Sequence, residues 1–189
     1  MTDTDSWEQA MRQTRQEKDD FFARHPNSPI PQDQREAFDG LDYFPPDPDL
    51  RYELELHEHD EKETVEIDTT TEGVRNYLRW GEFRFEVNGE ECTLQAYKAD
   101  ADERRLWVPF RDETNKTDET YGAGRYIDLE MGEHTTTDGN WVLDFNQAYN
   151  PYCAYSAMYE CPLIPMENWL DVRIEAGEKN YDSPHGYHG

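Results

Sequence analysis

The residues best equipped for chemistry crowd into one stretch, DFNQAYNPYCAYSAMYECPLIPMEN, from Asp144 to Asn168. It holds two of the three cysteines, four tyrosines and three asparagines, with Asp144 at one end and Glu167 near the other. Polar groups at this density cost free energy unless they are paired with each other or with a ligand. Glu167 can serve as a base where burial raises its proton affinity. Cys153 can serve as a nucleophile where a neighbouring cation favours the thiolate. A second stretch, PFRDETNKTDETYGAGRY from Pro109 to Tyr126, supplies a cation in Arg125. Gly122 and Gly124 permit close backbone approach or positive φ beside it. An arginine next to free backbone N–H groups can hold a carboxylate or phosphate. It can equally tie the fold together through Asp112 or Asp144.

Cys153 and Cys161 stand eight residues apart. A disulfide, half of a metal site and two buried thiols all fit that spacing, although it lacks the close pair of common zinc sites. Cys92 lies in a strand pattern and reads as core. His57 and His59 share one strand face and can pair on a metal, but no third ligand accompanies them. His134, His185 and His188 fall in loop or tail. No P-loop, G-x-G-x-x-G or G-x-S-x-G appears, which removes the usual hydrolase and nucleotide fingerprints and leaves any cofactor and reaction unknown.

The elements that must position these groups follow from periodicity. Residues 6–24 read as an amphipathic helix, with a Ser6/Gln9 capping pattern and an apolar face of Trp7, Ala10, Met11, Phe21 and Phe22. Thr14 and Lys18 interrupt that face, and His25-Pro26 ends the helix. Residues 25–50 form an extended, proline-rich strap pinned by Phe38, Leu41, Tyr43 and Phe44. From Arg51 the pattern becomes period two through YELELH, TVEID, EFRFEV, CTLQAY, RLWVPF, RYIDLE, NWVLDF and WLDVRIE. Asn88-Gly89 between two such runs is a hairpin signal. The expected fold is mainly β, an antiparallel sandwich or barrel-like roll in residues 51–178, with the N-terminal helix packed on it. Asn150-Pro151 starts a short helical insert carrying Tyr152, Tyr155 and Tyr159. Residues 180–189 form a frayed tail. All 189 residues make one domain.

The chain has 43 acids and 18 bases, of which five are lysines, for a net charge of -25. Such a surface repels itself at low salt, and molar salt, with a screening length of about 3 Å, relieves it. This balance predicts a halophilic source. It argues against nucleic acid and anionic membranes as partners. The start, MTDTDSWEQAMRQ, lacks a basic and apolar leader pattern, which predicts a cytoplasmic protein.

GLDYFPPDPDLR, VPFRDETNKTDETYGAGRYIDL, the 144–168 stretch and IEAGEK together resemble the domain-of-unknown-function family 1684 of bacteria and archaea. The likeness runs from the Trp7 helix to Lys179. It carries no activity with it. It implies that Tyr121, Gly122, Gly124, Arg125, Asp144, Asn146, Tyr149, Asn150, Pro151, Cys153, Tyr155, Cys161, Pro162, Glu167 and Asn168 are the motif positions, and that the histidines are not. Polar loop signatures of this kind more often mark a site than packing.

The resulting expectation is that segments 109–126 and 144–168 meet at one end of the sheets around a polar pocket for a small anionic or amide-bearing molecule. Arg125 holds the anion. Tyr121, Asp144, Asn146, Tyr149, Asn150, Tyr155 and Asn168 line the site, and Glu167 or Cys153 is its reactive group. Two alternatives stand beside it. One is an interaction surface built on the aromatic insert at 149–159. The other is a thiol redox or metal site at Cys153 and Cys161.

Overall fold

The computed structural model describes residues 2–187. Helix α1 spans Asp3–Arg24 and begins before Ser6. The Thr2 hydroxyl accepts from the Asp5 N–H at 3.1 Å, and the Thr2 N–H donates to the Asp5 carboxylate at 3.1 Å. Aspartate thus closes the reciprocal cap usually made by Glu or Gln. Trp7, Met11, Arg15, Lys18 and Phe22 form the inward stripe, whereas Ala10 and Thr14 face solvent. Lys18 is therefore an anchor and not an interruption: its ammonium pairs with the buried Glu178. Arg15 donates to the Phe44 carbonyl at 2.9 Å, which holds the strap under the helix.

Among the described residues there are seven strands: β1 Arg51–Leu54, β2 His57–Asp68, β3 Val74–Val87, β4 Glu90–Lys98, β5 Arg105–Phe110, β6 Arg125–Glu130 and β7 Trp141–Asp144. β2 to β6 form one antiparallel sheet in chain order, and β1 pairs antiparallel with β7 in a second. The sheets do not close into a barrel. Asn88 at φ 50° and Gly89 at φ 85° make the tight β3–β4 turn, the left-handed pair that such hairpins require.

Alternation sorts each strand between two faces. Leu94, Ala96, Leu106, Val108, Phe110, Ile127 and Leu129 point into a core shared with Trp141 and Leu143 of β7. Ile67, Tyr97, Trp107 and Tyr126 point to the opposite face, where Ile164 packs on them. That second face is only partly covered. β2 is an edge strand, bulged between Glu58 and Glu63, and Glu58, Asp60, Glu61, Glu63, Glu66 and Asp68 stand exposed along it.

Three expected elements differ. WLDVRIE is not a strand, although Leu170, Val172 and Ile174 alternate into the core. Side chains replace the neighbouring strand: the Ile174 N–H donates to Asp112 at 2.7 Å, and the Ile174 carbonyl accepts from Arg125 at 3.0 Å. The helical insert is a single 3-10 turn, Tyr152–Ala154. Residues 180–187 are docked and not frayed, since the Tyr187 N–H donates to the Cys153 carbonyl at 2.7 Å and the Ser183 hydroxyl to the Tyr155 carbonyl at 2.8 Å. His188 lies outside the described residues. Among the described residues no helix is long and apolar enough to cross a membrane.

Candidate functional site

Arg125 does not reach the surface. Period two puts it on the same side of β6 as Ile127 and Leu129, and it is fully buried. Its guanidinium donates to the Asp112 carboxylate at 3.3 Å and to the carbonyls of Ile174, Ala176 and Glu178, and it lies over the Phe110 ring at 5.0 Å. Burial lowers its pKa, and the Asp112 charge opposes that shift. The arginine expected to hold an anion is thus the tie that fastens residues 174–178 to the sheet.

Most of the other expected ligand-binding residues are also bound within the fold. Asp144 accepts from Trp7 Nε1 at 2.9 Å and from both amide groups of Asn146. Asn146 exchanges two 2.8 Å hydrogen bonds with the Asp47 backbone, so the pair fastens the strap and helix to β7. Asn150 donates to the Lys179 carbonyl at 3.0 Å, and the Tyr155 hydroxyl donates to Glu178 at 2.7 Å. Tyr121 donates to the Tyr187 carbonyl at 2.7 Å, and Tyr149 to Asp128 at 2.5 Å. Asn168 is fully buried and mimics a strand. Its amide accepts from the Gln95 N–H at 2.8 Å and donates to the Gln95 carbonyl at 2.9 Å and the Pro109 carbonyl at 2.7 Å. These residues do not converge on one pocket.

Segments 109–126 and 144–168 do meet. The Arg111 N–H donates to the Asn168 carbonyl at 3.1 Å, and the Leu170 N–H to the Arg111 carbonyl at 2.7 Å. Gly124 makes the junction possible. At φ 103°, a side chain there would put its Cβ 2.8 Å from the Phe110 carbonyl oxygen and 2.0 Å from Ile164. The strap 162–169 consequently crosses the open second face of the sheet, and a cleft of about 920 Å³ lies beside it. That volume is in the range of small-molecule sites.

The cleft has a polar floor and an arginine wall. Glu167, expected as a reactive group, does line it. Its carboxylate accepts from Arg79 Nε at 3.2 and 3.1 Å and from the Tyr97 hydroxyl. Burial, and then the Glu167 carboxylate, push the Tyr97 phenol well above its ordinary pKa, so it stays protonated and donates to Glu167. Behind Arg79, His59 Nε2 stands 3.2 Å from Nη1 and 2.7 Å from the Gln95 side-chain oxygen. The Arg79–Glu167 pair is partly exposed, and such pairs contribute about 0–1 kcal/mol. The Arg111 guanidinium carbon lies over the Trp169 ring, 4.4 Å from its centroid, and the guanidinium has no hydrogen bond or ion pair among the described residues. The Trp169 indole is fixed in turn by its N–H to the Ile164 carbonyl at 3.1 Å. Glu63, Glu66 and Asp68 of the β2 edge complete the rim.

Arg79, Tyr97, Arg111 and Trp169 were not among the expected site residues. Alternation marks three of them. With Leu94 and Ala96 in the core, Tyr97 falls on the other face; with Val108 and Phe110 in the core, so does Arg111. Arg79 opposes Tyr97 in the β3–β4 register. The same rule places Arg125 inward.

Cys153 is buried, and Cys161 lines a second cleft of about 510 Å³ with Arg75, Tyr126, Tyr149, Tyr152 and Tyr159. The cysteines are unbridged, and among the described residues no cluster of three or more His, Cys, Asp or Glu could hold a metal. Tyr155 is fully buried against Phe22, so it takes no part in a surface with Tyr152 and Tyr159.

No curated protein is similar to the chain. The solution NMR structure of an uncharacterised protein of Haloarcula marismortui is 44% identical, with a TM-score of 0.70, over 94% of this chain and 96% of that one. The model of a family described as "Protein of unknown function (DUF1684)" matches residues 36–179, which takes in both polar stretches and the 162–169 strap and leaves out α1. By that match the chain belongs to the DUF1684 family.

Proposed function

We propose that the cleft between β2–β4 and the 162–169 strap binds a small molecule that bears a carboxylate at one end and a hydrogen-bond donor, an amide or hydroxyl, at the other. The observation that carries this reading is Arg111. Its guanidinium sits over Trp169 on the cleft wall with its donors unpaired among the described residues, which leaves open the fork that binds carboxylates in bidentate fashion. Glu167 accepts the ligand's donor, and its bonds to Arg79 and Tyr97 fix its orientation. The rim acids would repel an anion in dilute buffer. At molar salt their reach shrinks to about 3 Å, while the contacts at Arg111 persist. The 44% likeness to a Haloarcula protein and the net charge of -25 both favour a salt-rich cytoplasm as the setting.

The test is a titration in molar KCl, followed by ¹H–¹⁵N spectra, with acetate, N-acetylglycine and inorganic phosphate as probes. N-acetylglycine should move the Trp169 indole and Gly122 amide signals more than the other two, and Arg111→Ala should weaken the response at least about tenfold. If all three probes leave those signals in place, or the variant responds as the parent does, the reading fails.

A further inference from the structure

The second cleft does not share the chemistry of the first. Cys161 sits on its wall, 7% exposed, below the edge-to-face pair of Tyr152 and Tyr159. Cys153 and Cys161 are close enough for each thiol to perturb the ionisation of the other. The Cys153 N–H points at Cys161 Sγ from 3.3 Å, as a donor to a developing thiolate should. Arg75 lies in the same cleft, where it donates to the Glu160 carbonyl at 3.0 Å and pairs with the Glu160 carboxylate at 3.5 Å. Cys153 lies deeper, 1% exposed, with the Tyr121 hydroxyl 3.5 Å from its sulfur. Geometry and electrostatics agree on the division of labour. The Cys153 thiol and backbone amide lower the Cys161 pKa, whereas the Cys161 thiol and burial raise that of Cys153.

Cys92 supplies an internal comparison. It is as buried as Cys161, at 7% exposure, but it projects from β4 into the main core, and its thiol meets the Glu90 carbonyl at 3.7 Å. Burial raises its pKa. Exposure alone would make the two cysteines equally inert; only the cleft, the donor and the neighbouring thiol distinguish them.

We propose that Cys161 and Cys153 form a redox-active thiol pair that reacts with low-molecular-weight disulfides entering the tyrosine-lined cleft, with Cys161 attacking and Cys153 resolving. In the first step the Cys161 thiolate attacks one sulfur of R–S–S–R. The S–S bond breaks, a mixed disulfide forms on Cys161, and RS⁻ leaves and takes up the proton lost by Cys161. In the second step Cys153 loses its proton as its sulfur attacks Cys161 Sγ. The Cys161–S–R bond breaks, the Cys153–Cys161 disulfide forms, and the second RS⁻ carries off that proton as RSH. Two protein thiols are oxidised and one small disulfide is reduced to two thiols. The bond needs the sulfurs to close to about 2.05 Å. The exposed turn at 157–160 between the two cysteines can absorb that movement.

The experiment uses the full chain, reduced and desalted into molar KCl, with 2-hydroxyethyl disulfide as oxidant. Samples are acid-quenched for denaturing mass spectrometry and peptide mapping. The parent chain should lose two hydrogens and yield a linked Cys153–Cys161 peptide. Cys153→Ser should instead accumulate one hydroxyethylthio group on Cys161. Cys161→Ser should react at least about tenfold more slowly. A chain that keeps three free thiols, or that is modified on Cys92 as fast as on Cys161, overturns the proposal. Where a serine variant fails to fold, the parent decides alone under substoichiometric iodoacetamide. Labelling of Cys161 about tenfold ahead of Cys92 supports the pair, and equal labelling removes it.

Discussion

Arg111 and Arg125 come from one short stretch and meet opposite fates. Arg125 is buried under residues 174–178, spends its donors on Asp112 and three carbonyls, and leaves Nε without a partner. Arg111 lies on a tryptophan beside open space with its fork unspent. The polar density of the two signature stretches thus divides into a closed part and an open part. The closed part, built on Arg125, Asp112, Asp144, Asn146, Asn150 and Asn168, replaces missing strand pairing with side-chain hydrogen bonds. The open part, built on Arg79, Arg111, Tyr97 and Glu167, contributes little to holding the chain together. A polar signature alone does not separate the two; burial of the donors does.

Removing a member of the closed part should have the largest effect. Arg125→Ala leaves Asp112 without its cation and three buried carbonyls without their donor, so it should cost about 3–5 kcal/mol. Thermal unfolding in molar KCl should fall by on the order of 10 °C, if the variant folds at all. A loss below about 1 kcal/mol would break the distinction between the two arginines. Gly124→Ala sits between the parts and should cost about 1–3 kcal/mol, because it forces a Cβ to positive φ against the Phe110 carbonyl and Ile164. Displacement of Ile164 should also shift the Trp169 indole signal, which separates this change from a purely local defect. Arg111→Ala should be the mildest, within about 1 kcal/mol, the worth of a partly exposed cation–π contact. If its unfolding midpoint falls as far as that of Arg125→Ala, the guanidinium over Trp169 is a structural tie as well.

The period-two runs made the sheet legible. Asn88-Gly89 gave the hairpin, and alternation in EFRFEV, CTLQAY and RLWVPF gave its two faces. Periodicity misleads where side chains stand in for backbone partners. WLDVRIE alternates as a strand does, yet its partners are Asp112 and Arg125, which no local rule connects to it. The insert at 150–161 carries a proline start and tyrosines at helical spacing. Tertiary packing of Tyr155 on Phe22 and the docking of residues 180–187 hold it as a single turn instead. Within the candidate site, Glu167 was found by its type. Arg111, Arg79 and Tyr97 stand out by no such type; the alternation that sorts the apolar residues places them on the open face only when it is extended to the polar residues between them.

The free edge of β2 has a consequence for how copies of the chain meet. Six carboxylates line an edge whose backbone groups would otherwise accept another strand, and like charge is one of the means by which such edges are kept from joining. The guard is electrostatic and reaches only about 3 Å in molar salt, against about 30 Å at hundredth-molar. The salt that relieves repulsion within one molecule therefore also lets two molecules approach edge to edge. There the bulge between Glu58 and Glu63 interrupts the flat register that a cross-molecule sheet would need. This geometry predicts that charge opposes edge-to-edge contact in dilute solution and that the bulge opposes it in molar salt.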